Sequence, residues 1–156
     1  MTNEVAEISA LVAVAVRARA QESCAHRDYV RALEQLAAAG VSQSRIGELV
    51  RVSQPAVSKM LGRRLPAVPE GFADVRAYWI CERYAAGQLD ADELVAQLSR
   101  WEFAPMQWAG SLVEDVGPVD GTFGSEMGES LWAGLIDEEL YDRVLFALHP
   151  ETGSST

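Results

Sequence analysis

Residues 42–61, SQSRIGELVRVSQPAVSKML, confine this part of the chain to two short helices crossing over a tight turn. Ser42 is placed to cap the first helix, Glu48 gives it a polar face, and Ile46, Leu49 and Val50 supply its apolar stripe. Arg51 and Val52 break that period, and Ser53 caps the second helix. Pro55 sits in its first turn, where the missing N–H costs no intrahelical bond. Val57, Met60 and Leu61 recur at three- and four-residue spacing, so they pack on Ile46 and Val50. Gln54, Ser58 and Lys59 are left pointing outward, with Arg63 just beyond. Gly47 is the discriminating position, because steeply crossing helices bring their backbones close and a larger side chain would hold them apart.

This order of features resembles the helix-turn-helix of bacterial and phage repressors: a small residue, an apolar residue before the turn, Val in the turn, then Ser-Gln-x-x-Val-Ser opening the second helix. The resemblance covers 42–61 well and 28–65 loosely. It departs from the family at Arg51, where Gly is usual, so the turn is expected to be wound differently or extended. The resemblance implies binding to double-stranded DNA, with the helix 53–63 in the major groove. Gln54, Ser58 and Lys59 would then contact base edges, and Gln43, Ser44, Arg45, Ser53, Arg63 and Arg64 would hold phosphates.

A net charge of −10 argues against such a role until it is divided. Residues 1–70 carry nine Lys/Arg against seven Asp/Glu, whereas 71–156 carry four against sixteen. A basic reading head is thus joined to a strongly acidic second half, and a polyanion would be repelled by that half. The apolar run from Ala10 to Val16 is too short to span a bilayer, and the N-terminus lacks a signal-peptide pattern, so no membrane role is expected. Cys24 and Cys81 make no metal-ligand spacing and read as reduced thiols, in keeping with a cytoplasmic protein.

The whole chain reads as all-α: a helix-turn-helix domain preceded by a long helix, then a small acidic helical domain. Residues 1–64 form the first domain, 65–71 (LPAVPEG) a linker, 72–150 the second domain, and 151–156 a disordered tail. Val5, Ile8, Leu11, Val12 and Ala15 stripe a first helix that either packs on the helix-turn-helix core or forms a homodimer interface. Polar residues at 23–28 predict a bend, and a lone histidine there, His26, reads as a surface or capping residue. Tyr29, Val30, Leu33, Leu36 and Ala37 form a supporting helix that Gly40 stops.

In the acidic half, a helix over 72–86 is expected to bury Val75, Tyr78 and Trp79, leaving Glu82 and Arg83 outside. Asp90 and Glu93 form a capping box for the next helix. Trp108, Leu112 and Val113 would pin a loop or short helix. Met127, Leu131 and Trp132 would face inward from a helix over 124–134, and Asp137 caps a last one. The tryptophans, at 79, 101, 108 and 132, either fill this core or anchor a protein partner. Runs such as 79–87 and 134–142, with twelve arginines to one lysine, resemble small acidic helical domains of actinobacterial proteins.

Asp115, Asp120, Gly121 and Glu126 lack the alternating oxygen ligands of a calcium loop, because Gly117 and Val119 stand where Asp or Asn is needed. The carboxylates at 137, 138, 139 and 142 suit a helix start. No cofactor, metal site or catalytic constellation is expected, and so no enzyme. The functional expectation is a repressor-like, sequence-specific regulator whose acidic domain binds a basic protein partner, as antitoxins do. The alternatives are a phage or plasmid repressor with a self-association domain, or an interaction module without DNA binding.

Overall fold

The computed structural model describes residues 2–105 and 121–150, and the fold is all-α. Expectations for Trp108, Leu112 and Val113 and for the tail 151–156 lie outside the described residues. Helix α1, Thr2–Ala38, is 37 residues long, or about 55 Å. It passes through 23–28 without the expected bend. Nothing between residues 2 and 39 breaks a helix, since the stretch contains no Gly or Pro and is rich in Ala. Its polar side chains are also satisfied along the helix: Arg27 donates from Nη1 to Ser23 Oγ at 2.8 Å and from Nη2 to Cys24 Sγ at 3.6 Å. Both Cys24 and Arg27 are buried, so the weakened apolar pattern marks a polar inward face rather than a break.

The chain divides into two compact units, 22–67 and a second made of 1–21 with 68–156. The first holds the end of α1, then α2 (Gln43–Val50) and α3 (Gln54–Leu61). Leu33, Ile46 and Val57 form its buried centre, ringed by Tyr29, Leu36, Ala37, Val50, Met60 and Leu61. Gly40, at φ +89, ends α1, and Leu65 N–H donates to Glu34 Oε1 as the chain leaves α3. Leu49, expected in the stripe of α2, is instead exposed, because Ile46, Gly47 and Val50 already fill the inward face.

Residues 1–21 group with the acidic half, although the sequence pattern joined them to 22–64. The contacts responsible are specific. Gln21 Nε2 donates to the Ala86 carbonyl at 3.3 Å, the Arg17 guanidinium lies over Gly87, and Ala20 is buried. The rest of this unit is α4 (Ala77–Ala85), α5 (Ala91–Leu98), α6 (Phe123–Trp132) and α7 (Glu138–Leu148). The Asp90–Glu93 capping box forms in full, and Asp137 caps α7 through the Leu140 N–H.

Two ion pairs, one buried and one with an exposed arginine, set the architecture of α4 and overturn its expected orientation. Helix α4 starts at Ala77 rather than 72, and buries Glu82 and Arg83. Arg83 turns inward because Asp74, fully buried in the preceding segment, accepts its Nε–H at 3.0 Å, while Gln88 accepts from Nη1. Glu126 of α6 reaches across to the start of α4: it accepts from Arg76 Nη2 and from the Tyr78 backbone N–H, each at 2.8 Å. That carboxylate supplies the cap that Arg76 lacks. Trp132 is 89% exposed rather than inward, because Glu126, Met127 and Ser130 occupy the buried face of α6. Burial, reinforced by Glu126 and Glu82 and opposed by a Ser130 hydrogen bond, pushes the Cys81 thiol up to about 12.

Candidate nucleic-acid interface

The α2–turn–α3 pair is built by local signals that act as the sequence implies. Ser42 Oγ accepts from the Arg45 N–H at 3.2 Å and Ser53 Oγ from the Ala56 N–H at 3.3 Å, so each serine caps its helix. Gly47 is buried at the crossing: a Cβ there would stand 2.7 Å from the Val52 carbonyl oxygen. Val52 N–H donates to the Gly47 carbonyl at 2.9 Å, closing the turn.

Arg51 resolves the question raised by its position. It adopts φ 61, ψ 42, the left-handed conformation, and is the sole non-glycine residue with positive φ among those described. The turn is therefore wound as a glycine would wind it, and the Arg51 Cβ bears a cost of about 1–2 kcal/mol.

Among the candidate base-contact residues, Gln54, Ser58 and Lys59 are all exposed on α3. Gln54 is held in place: its Nε2 donates to Gln43 Oε1 at 2.8 Å. One Gln54 N–H and the carboxamide oxygen stay available, which is the donor–acceptor pair a bidentate contact to adenine requires. Gln43, Ser58, Arg63 and Arg64 line one open groove of about 1090 Å³ with Glu34. Ser44 and Ser53 are exposed at the helix starts, outside that groove. Arg45 is exposed too, but its Nη1 already pairs with Glu48 at 3.0 Å.

On the other flank of α3, Lys59 and Arg63 share a cleft of about 210 Å³ with His26, Val30 and Met60. Nothing in the local pattern around His26 announced this, because the two cations come from more than thirty residues away. Arg51, Lys59, Arg63 and Arg64 are exposed, and their side chains enter no hydrogen bond or ion pair among the described residues. Unit 22–67 holds seven basic and four acidic residues, against six and nineteen in the other unit. Lys59, Arg63 and Arg64, three of the groups that would meet a polyanion, thus have exposed and uncommitted side chains. No protein-family model, curated protein or solved structure matches the chain.

Proposed function

We propose that the chain is a sequence-specific double-stranded DNA-binding regulator that reads the major groove with α3. The observation carrying this reading is the set of unpaired cations flanking a recognition face whose glutamine is held in a hydrogen-bonded orientation. In this reading Gln54, Ser58 and Lys59 contact base edges. Gln43, Ser44, Ser53, Arg63 and Arg64 hold the backbone, and Arg45 joins them by leaving its exposed pair with Glu48. Selection from a pool of duplexes that includes the upstream region of its own gene, at two salt concentrations, tests it. One enriched site is expected, and Gln54→Ala should cost about 1–3 kcal/mol at a single base pair. Arg63→Ala should weaken binding to all sequences and lower the salt slope by about 1. Enrichment that survives Gln54→Ala unchanged would remove the base-reading role; no enrichment at all would remove the function.

A second component of the proposal concerns the acidic unit, which carries Trp132 and Phe146 largely exposed on a surface of strong negative charge. Exposed aromatics in an acidic field suit a basic protein partner. A DNA reader joined to such a unit has the plan of antitoxins that repress their own operon and neutralise a toxin. Co-expression with the product of the adjacent gene should yield a one-to-one complex that Trp132→Ala weakens. Failure of that complex to form leaves the DNA reading standing and removes the antitoxin role.

A further inference from the structure

The segment 4–19 of α1 turns one side to its own unit, at Val16 and Ala20, and leaves an apolar face uncovered among the described residues. Val5, Ile8, Leu11 and Val12 on that face are between 54% and 66% exposed. Solvent-facing aliphatics of this size at helical spacing are the mark of an interface. Their order along the helix says which partner fits.

Consider two copies of the segment laid antiparallel about a two-fold axis passing between residues 11 and 12. Ile8 of one copy then faces Ala15 of the other, and Val5 faces Ala18, so a large side chain meets a small one each time. Leu11 meets Val12 at the axis. At both ends Glu4 lies opposite Arg19. Each of these residues is exposed and lies on the same side of α1, and the set maps onto itself under the inversion. Such self-complementarity is what an isologous interface requires. A parallel pair fails on both counts, since Glu4 would face Glu4, Arg19 would face Arg19, and the alanines would oppose alanines across a gap.

We propose that a second copy of this chain covers the face, as an antiparallel homodimer centred between Leu11 and Val12. The interface does not depend on whether α3 reads DNA, and it is tested without DNA. Sedimentation equilibrium of the full chain should show a monomer–dimer equilibrium. Ile8→Asp should leave only monomer with an unchanged helical circular-dichroism spectrum, because the position is solvent-facing in the isolated chain. Glu4→Arg and Arg19→Glu should each weaken dimerisation roughly tenfold by placing like charges opposite each other at both ends. Combining them should restore the dimer. A parallel dimer would ignore both the single and the double charge reversals, and that result would overturn the proposal. So would a chain that stays monomeric into the high micromolar range, or a dimer that survives Ile8→Asp.

Discussion

The two units differ in how many of their arginines the fold uses. In 71–156 each arginine is consumed by the fold: Arg83 by buried Asp74, Arg76 by Glu126, Arg143 by Asp92, and Arg100 by the carbonyls of Ala96 and Gly71. In 22–67 Arg51, Arg63 and Arg64, with Lys59, are spent on nothing among the described residues, although acidic residues are available in the same unit. The acidic unit uses these cations to orient helices, whereas the smaller unit ties up Arg27, Arg31 and Arg45 within itself and keeps its other four cations for solvent or a ligand. A charge count separates the halves but cannot make this distinction. Only the partners can.

The sharpest way to test the contrast is to remove a cation's partner. Asp74→Ala strands a buried Arg83 and should destabilise the acidic unit by about 3–5 kcal/mol. Urea unfolding followed by tryptophan fluorescence reads this unit alone, since every tryptophan lies within 71–156. Gly47→Ala should cost about 1–3 kcal/mol, because its Cβ would press on backbone rather than on a yielding side chain. That loss should appear in the circular-dichroism transition of the smaller unit.

The acidic unit should also weaken in alkali. The folded Cys81 thiol titrates near 12 against an ordinary value of 9, so its contribution is intact below about pH 9 and is lost as pH rises toward 12. By pH 10 the loss should be about 1 kcal/mol, and Cys81→Ala should abolish that slope. Tyr78, raised first by burial and then by Glu82 and Glu129, adds a loss of the same sign at higher pH. Arg51→Gly should stabilise the smaller unit by about 1 kcal/mol or less, as relief of the left-handed strain is partly offset by chain entropy. Lys59→Ala should shift unfolding by no more than about 0.5 kcal/mol. A larger loss would mean that this cation is structural after all, and the comparison would collapse.

What was legible in the sequence was local. The Ser42 and Ser53 caps, the Asp90–Glu93 box, the Gly40 stop and the close approach at Gly47 each need only a few neighbouring residues, and each forms. What was not legible depended on distant partners. Arg83 points inward to Asp74, nine residues away, and Arg76 meets Glu126 across fifty residues, separations over which periodicity carries no information. Hydrophobicity alone places Trp132 in the core, but Ser130 takes the inward place and donates to the Glu126 carbonyl at 2.7 Å. Around His26, polar residues imitated a break that the buried Arg27 and Cys24 explain otherwise. Within the candidate site, the residue types on α3 were readable, while the Gln54–Gln43 bond and the approach of His26 were not.

The division of the chain into 22–67 and 1–21 with 68–156 makes the smaller unit an insertion within the larger one. During synthesis the inserted unit has all its parts once residue 67 is out of the ribosome and can complete its core first. The segment 1–21 emerges before it, yet must wait for residues 68–148 to find its own place. The same nesting changes what a protease can do. A cut in 66–70 would sever the backbone and still leave two fragments associated, because 1–21 and 68–156 belong to one body.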